Sequence, residues 1–187
     1  PVEDYLPKGD LVLPVSQHIG APAQPVVAVG DTVKKGQLIA EAGGFVSANI
    51  YSSVSGTVKS IALHRVATGD MVNSIVIEND GNYEEVEYDA VDDIMTLSKE
   101  EIIEKVKKAG VVMGGAGFPT HVKLSPKNPE KIDYIIANCA ECEPYLTSDY
   151  RRMMDNPELL VGGIKIVLQL FDNAKGVLGV ENNKPDC

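Results

Sequence analysis

Three stretches of the chain carry residue types that can do chemistry. The first is Gly114-Gly115-Ala116-Gly117-Phe118-Pro119-Thr120, with Lys123 close behind. Positions without a Cβ let a backbone approach a flat or anionic ligand, and Lys123 can neutralise a phosphate. The run also reads as a tight loop before Pro119, since glycine marks turns generally. It is neither the G-x-G-x-x-G fingerprint nor a Walker loop, which needs G-K-[ST] at its end. The second stretch, Asn138-Cys139-Ala140-Glu141-Cys142-Glu143-Pro144, combines an amide, two thiols and two carboxylates. It suits hydrogen bonding to a polar ring, and equally a solvated acidic turn. The third is Glu181-Asn182-Asn183-Lys184.

Metal chemistry has little to stand on. Cys139 and Cys142 form a C-x-x-C pair, but two thiols supply half of a tetrahedral zinc shell, and a cubane iron–sulfur cluster takes four. His18, His64 and His121 show no ligand spacing to each other or to the cysteines. No metal residues are therefore assigned. The two cysteines read as buried thiols at a strand end, His18 as a packing or capping residue, and Asp149 with Arg151 as a surface pair.

The elements that must position these stretches differ along the chain. Residues 10 to 80 read as all-β, with short runs at Leu11–Leu13, Val26–Val29, Gln37–Ala40, Phe45–Tyr51, Gly56–Ala62 and Ser74–Glu78, punctuated by Gly, Pro and Asp. Gly30-Asp31-Thr32-Val33 recurs as Gly69-Asp70-Met71-Val72, each followed closely by a strand. Two similar halves predict a small barrel or sandwich with pseudo-twofold symmetry. From residue 95 the pattern changes. Ser98-Lys99-Glu100-Glu101 fits a capping box, Ile102, Ile103 and Val106 form an apolar stripe, and Gly110 can end the helix. Ile132–Ala137 predicts a buried strand. Asn156-Pro157 opens a helix with Leu159, Leu160, Ile164, Val167, Leu168 and Phe171 as its apolar face, and Gly176–Val180 is another strand.

Strand, helix, strand predicts a parallel pair with a right-handed crossover, hence an α/β region. In an open α/β sheet ligands bind beyond the carboxyl ends of the strands. If the two strands are neighbours, the Asn138–Pro144 and Glu181–Lys184 stretches converge on one crevice. The acidic stretch Glu84–Asp93 reads as a solvated linker, which gives two expected domains, residues 1–92 and 93–187.

Bulk properties narrow the classes of partner. A net charge of −10 without a basic stripe argues against nucleic acid. The longest apolar stretch, Ile164–Phe171, is interrupted by Lys165 and Gln169, far short of the roughly 20 residues a membrane span needs. Membrane association is then expected through a partner only. With no charged-then-apolar leader and three cysteines, a reducing compartment is expected.

Several motifs in order carry a resemblance. Val29–Ile39 followed by Ser53-Val54-Ser55-Gly56-Thr57-Val58 resembles the biotinyl/lipoyl barrel-sandwich fold. Phe45 stands where that family places its cofactor-bearing lysine, and a phenyl ring cannot form the amide link, so the module reads as structural or docking. The Gly114–Thr120 run with Lys123, then Asn138, Glu141, Glu143 and Pro144, resembles the flavin-binding subunit of respiratory complex I. Closer is the RnfC family, the C subunits of Rnf electron-transport complexes, to which the chain is similar from about Leu13 to the last residue. The likeness includes Ser16–Pro22, Gly44–Ala48, Ala140–Asp149 and Glu181–Asp186. The complex I pattern differs at Val112-Met113, where it has Gly-Arg, and at Ala140, where it has an acid.

The resemblance implies a barrel-sandwich hybrid followed by a partial Rossmann-like α/β domain binding FMN, with NADH stacked on the flavin. Gly114, Gly115 and Gly117 would form the loop against flavin and dinucleotide, and Phe118 would lie beside the dinucleotide. Lys123 would reach the FMN phosphate. Asn138 and Glu141 would hydrogen-bond the flavin, Glu143 would orient the nicotinamide as the catalytic residue, and Asn182 and Asn183 would add flavin contacts. It further implies an NADH-oxidising electron-input subunit of an ion-translocating NAD:ferredoxin oxidoreductase, peripheral on the cytoplasmic face of the membrane. Its partners would be other Rnf subunits and, through them, ferredoxin. Such a subunit continues beyond residue 187 through more of the flavin domain to the cysteine motifs of its [4Fe–4S] clusters. Because part of the pocket wall is then missing, the chain alone is expected to bind FMN weakly or not at all. Two other readings are a non-catalytic docking module and a soluble electron carrier for another reductase.

Overall fold

A computed structural model describes residue 3, residues 5–113 and residues 117–187. Gly114 and Gly115, two of the expected loop residues, lie outside the described residues. The chain divides into two compact units. The first takes residues 1–90 and 104–123, the second residues 91–103 and 124–187.

The first unit is built from β1 (Leu11–Pro14), β2 (Gln24–Pro25), β3 (Thr32–Val33), β4 (Leu38–Glu41), β5 (Ile50–Tyr51), β6 (Gly56–Arg65) and β7 (Met71–Asn79). One sheet runs β1-β7-β6-β3 and a second β2-β4-β5, with every pairing in them antiparallel. Their inner faces share one core of Val33, Ile39, Val54, Val58, Ile75 and Ile77, each at most 1% exposed. Removing such a side chain from water contributes about 1.5–3 kcal/mol. The repeat read from sequence is realised in the backbone: Gly30 and Gly69 have φ of 95° and 93°, and β3 and β7 each begin two residues later.

Two strand expectations are corrected. Val26–Val29 is not a strand, because the Asp31 carboxylate accepts the Ala28 N–H while Asp31 N–H returns to the Ala28 carbonyl, which captures the segment in a turn. Of Phe45–Tyr51 only Ile50–Tyr51 is extended. The preceding residues are taken up by side-chain bonds, with Gly43 N–H donating to Ser47 Oγ at 3.0 Å and Ala48 N–H to the His18 ring at 3.1 Å. Such side-chain bonds compete with a ladder. The start of the acidic stretch is not simply solvated either. Glu84 pairs with Lys34, Glu85 with Lys35 at 3.3 Å, and Val86 N–H donates to the Lys35 carbonyl.

Helix α1 (Lys99–Lys108) begins as the capping box predicts. Ser98 N–H donates to the Glu101 carboxylate at 2.8 Å and Glu101 N–H to Ser98 Oγ at 3.2 Å. After it, β8 (Val112–Met113) and β9 (Phe118–Pro119) pair antiparallel on either side of the glycine run, and α2 (Thr120–Lys123) follows.

In the second unit, β10 (Tyr134–Asn138) and β11 (Lys175–Gly179) pair in parallel, Ile135 beside Gly176 and Asn138 beside Gly179. Between them lie α3 (Ser148–Asp155), absent from the sequence reading, and α4 (Pro157–Leu168), with proline in the first turn as expected. Ile164 and Leu168 of α4 lie over Gly176, where an added Cβ would be 2.9 Å from Leu168 Cδ1. Leu159, assigned to the buried face, is 69% exposed. Phe171 is buried, but in the turn after the helix, with Leu170 and Ile102.

Candidate functional site

The parallel register places the carboxyl ends of β10 and β11 side by side, and the ladder continues one residue, Cys139 N–H donating to the Gly179 carbonyl at 2.9 Å. Asn138–Pro144 and Glu181–Lys184 therefore leave the sheet as neighbours, as the topology predicts. Their meeting point is Glu141. Its carboxylate, 2% exposed, accepts Asp149 N–H and the Ser148 hydroxyl, both at 3.1 Å, and the Lys184 ammonium at 3.2 Å. Lys184 also reaches Glu181 at 2.7 Å.

Glu141 thus does the capping that Thr147 does not provide with its own side chain at the start of α3. A carboxylate at that end also meets the positive pole of the helix. Burial pushes the Glu141 carboxyl up, but the hydrogen bonds from Asp149, Lys184 and Ser148 together hold it below the usual range. Glu181 is held low by Lys184, and Lys184 is raised by Glu181 and Glu141 against the effect of burial. A carboxylate has about four lone-pair sites, and Asp149, Ser148, Lys184 and the Tyr150 backbone all serve that of Glu141.

The other expected residues of this unit are open to solvent. Asn138 Oδ1 accepts Ala140 N–H at 3.1 Å, and Glu143, Asn182 and Asn183 are exposed. Beside Asn138 a cleft of about 520 Å³ is bounded by Cys139, Asp149, Arg152, Met153 and Leu160. Cys139 is buried, its thiol pushed up by burial and by Asp149. The Cys142 thiol is raised by its hydrogen bond to Glu143. Neither has the lowered pKa of a reactive thiol. Arg151 pairs with Asp155 rather than Asp149, whose backbone serves Glu141 instead.

The glycine stretch lies in the first unit. Gly117 has φ 60°, and its carbonyl accepts Ile19 N–H at 3.1 Å. Phe118 is half-buried and Pro119 fully buried. Thr120 is 2% exposed, and its Oγ1 has no hydrogen-bond partner among the described residues. Lys123 is exposed and has no ion-pair partner among the described residues. His121 is held below the usual imidazole range by burial and Lys107.

Sequence reasoning misses Ser148, Lys184 as the partner of Glu141, and Thr120. The spacing of Lys184 three residues after Glu181 is a local signal for that pair. Its partnership with Glu141 spans 43 positions and leaves no trace in the sequence.

Comparison with known proteins bears on both units. The family model for the RnfC barrel sandwich hybrid domain matches residues 1–82, and that for the Nuo51 FMN-binding domain matches residues 106–187. The C subunit of the proton-translocating ferredoxin:NAD(+) oxidoreductase complex of Clostridium ljungdahlii is 49% identical, over 92% of this chain and 38% of the relative. The C subunit of the Na(+)-translocating ferredoxin:NAD(+) oxidoreductase complex of Acetobacterium woodii is 42% identical, over 95% and 40%. The C subunit of the ion-translocating oxidoreductase complex of Pseudomonas aeruginosa is 40% identical, over 94% and 23%. The chain thus spans about two-fifths of the length of the first two relatives.

Proposed function

Because this chain belongs to the RnfC family, we propose that it forms part of an NADH-oxidising, FMN-dependent electron-input subunit of an ion-translocating ferredoxin:NAD oxidoreductase complex. The observation that carries this is the match of residues 106–187 to an FMN-binding domain, together with the polar cluster around Glu141 at the ends of two parallel strands, the usual ligand position of an α/β sheet.

The residues fit that group. The exposed ammonium of Lys123 suits its phosphate, and Gly114, Gly115 and Gly117 suit a backbone in close approach to the ring or dinucleotide. Thr120 offers a buried hydroxyl without a partner among the described residues. Asn138 and Glu141 are the proposed partners of the ring edge, with Asn182 and Asn183 as further contacts. Phe118 would lie beside the dinucleotide, and Glu143 would orient the nicotinamide end. FMN, when bound, supplies hydride acceptance and one-electron release. The chain supplies position and charge: Lys184 balances Glu141 and Glu181 at the strand ends.

In this reading residues 1–92 are the barrel-sandwich domain and 93–187 the flavin and NADH domain. Any [4Fe–4S] clusters belong to the part of the relatives this chain does not span. Other subunits, with ferredoxin reached through them, are the partners, and attachment is to the cytoplasmic face of the membrane. Among the described residues no helix is long and apolar enough to cross a membrane, in keeping with attachment through a partner.

The test is FMN titration of this chain beside the full-length subunit, followed by optical monitoring of NADH reduction. Stoichiometric flavin in the full-length subunit that bleaches on NADH is expected. If that protein takes up no FMN, a docking role replaces the dehydrogenase role.

A further inference from the structure

The barrel-sandwich unit carries a loop between β4 and β5 with Phe45 near its tip, 79% exposed. Its flanks are heavily engaged. Ala21 N–H donates to the Val46 carbonyl at 2.9 Å, Ser47 Oγ to the Ala21 carbonyl at 2.8 Å, and an added Cβ on Gly20 would fall 1.9 Å from Val46 O. His18 closes the attachment. Its Nδ1–H donates to the Ile19 carbonyl at 3.1 Å, and its Nε2 accepts Ala48 N–H at 3.1 Å. One neutral tautomer satisfies both bonds.

The segment so fixed is the one that touches the glycine loop. Ile19 N–H donates to the Gly117 carbonyl, and a Cβ on Gly117 would stand 3.3 Å from Gln17 O and 3.5 Å from His18 Cα. On the other side, the buried His121 of α2 lies beside the Phe45 backbone, and Thr120 N–H donates to the Val111 carbonyl at 2.9 Å. The segment from Gly117 to Lys123 is therefore held by residues 17–21 at its start and by the 43–48 loop at His121, and that loop is common to both attachments.

We propose that the 43–48 loop, through His18 on one side and His121 on the other, is a positioning element of the cofactor site, so that the barrel-sandwich domain sets the placement of Gly117 and Lys123 for a flavin phosphate and ring. His18 and His121 touch no cofactor; they act through the glycine loop. A backbone loop binds a ligand tightly only when it is fixed beforehand, since ordering it on binding subtracts from affinity. This inference rests on the flavin reading and assigns the β-domain a part in it.

The experiment measures FMN affinity of the full-length subunit by flavin fluorescence quenching, with thermal melting of each variant alongside. His18→Ala and His121→Ala are each expected to weaken FMN roughly tenfold, the worth of one hydrogen bond. His18→Gln, whose amide oxygen can accept Ala48 N–H, is expected to recover to within about threefold of wild type. In a cycle with Gly117→Ala the His18→Ala loss should be non-additive, because the two act through one contact. Wild-type affinity in both alanine variants, or strict additivity, overturns the proposal while leaving the flavin reading intact. If His18→Ala does not fold, amide exchange at Ile19 of the wild type decides: slowing on FMN addition supports the positioning role, and an unchanged rate overturns it. A wild-type subunit that binds no FMN overturns both.

Discussion

The two units solve the same problem, burying enough apolar surface, to different extents. The first closes two antiparallel sheets over a cluster of ten buried residues, while the core of the second gathers Ile102, Leu170 and Phe171, with partly buried neighbours around them. The second also leaves Ile136 64% and Leu178 44% exposed on its parallel strands. Parallel strands are ordinarily covered on both faces. The closed unit is the stable frame; the open one carries the polar cluster at its strand ends.

Truncation tests the contrast most sharply. Ile77→Ala, at 0% exposure, is expected to cost about 4 kcal/mol in the first unit, and Ile102→Ala about 2 to 3 kcal/mol in the second, whose sparser core can relax. Calorimetry should resolve which transition each shifts; equal losses would erase the distinction. Next in size comes the ion cluster. Lys184→Met leaves Glu141 buried with its charge uncompensated, so melting of the second unit should fall clearly while that of the first stays put.

Acid should then separate the units by mechanism. Glu141 and Glu181 have lowered folded values, so the stability they contribute is complete above the ordinary carboxyl value of 4.5 and is lost as pH falls through the lower folded value. In the first unit Asp80, held low by Asn82 and Ser55, behaves the same way. Glu141→Gln should flatten the acid profile of the second unit and leave that of the first unchanged, as melting curves between about pH 3 and 6 would reveal (a range set about the usual carboxyl values). Smaller still is Ser98→Ala, which removes the α1 cap for about 1 kcal/mol, followed by Leu159→Ala, expected within about 0.5 kcal/mol because that side chain is exposed.

How much can be read without the structure follows the range of the interactions. The capping box of α1, the proline opening α4, and the strands of the second unit are written in adjacent residues and stand close to where they are expected. The first of those strands, expected to be buried, nevertheless leaves Tyr134 and Ile136 exposed. The resemblance to the RnfC family, carried by motifs in order, likewise agrees with the family comparisons. Phe45–Tyr51 departs from its β-forming composition because His18, some 30 positions away, claims the backbone of Ala48. Helix α3 is hard to foresee because only Met153 among its residues is buried and its cap comes from Glu141. The meeting of Asn138–Pro144 with Glu181–Lys184 follows from the predicted topology, but the bonds of Glu141 to Ser148 and Lys184 do not, since those side chains look like ordinary surface residues in the sequence.

That distant cap has a bearing on the order of events during folding. Helix α3 has eight residues, too short to persist alone in water, and the full satisfaction of its capping carboxylate waits for Lys184, 43 positions downstream. Closing so long a loop is slow compared with forming a local turn. The start of α3 should therefore consolidate only once β10 and β11 have met, which makes the polar end of this unit the last part of it to acquire its native shape.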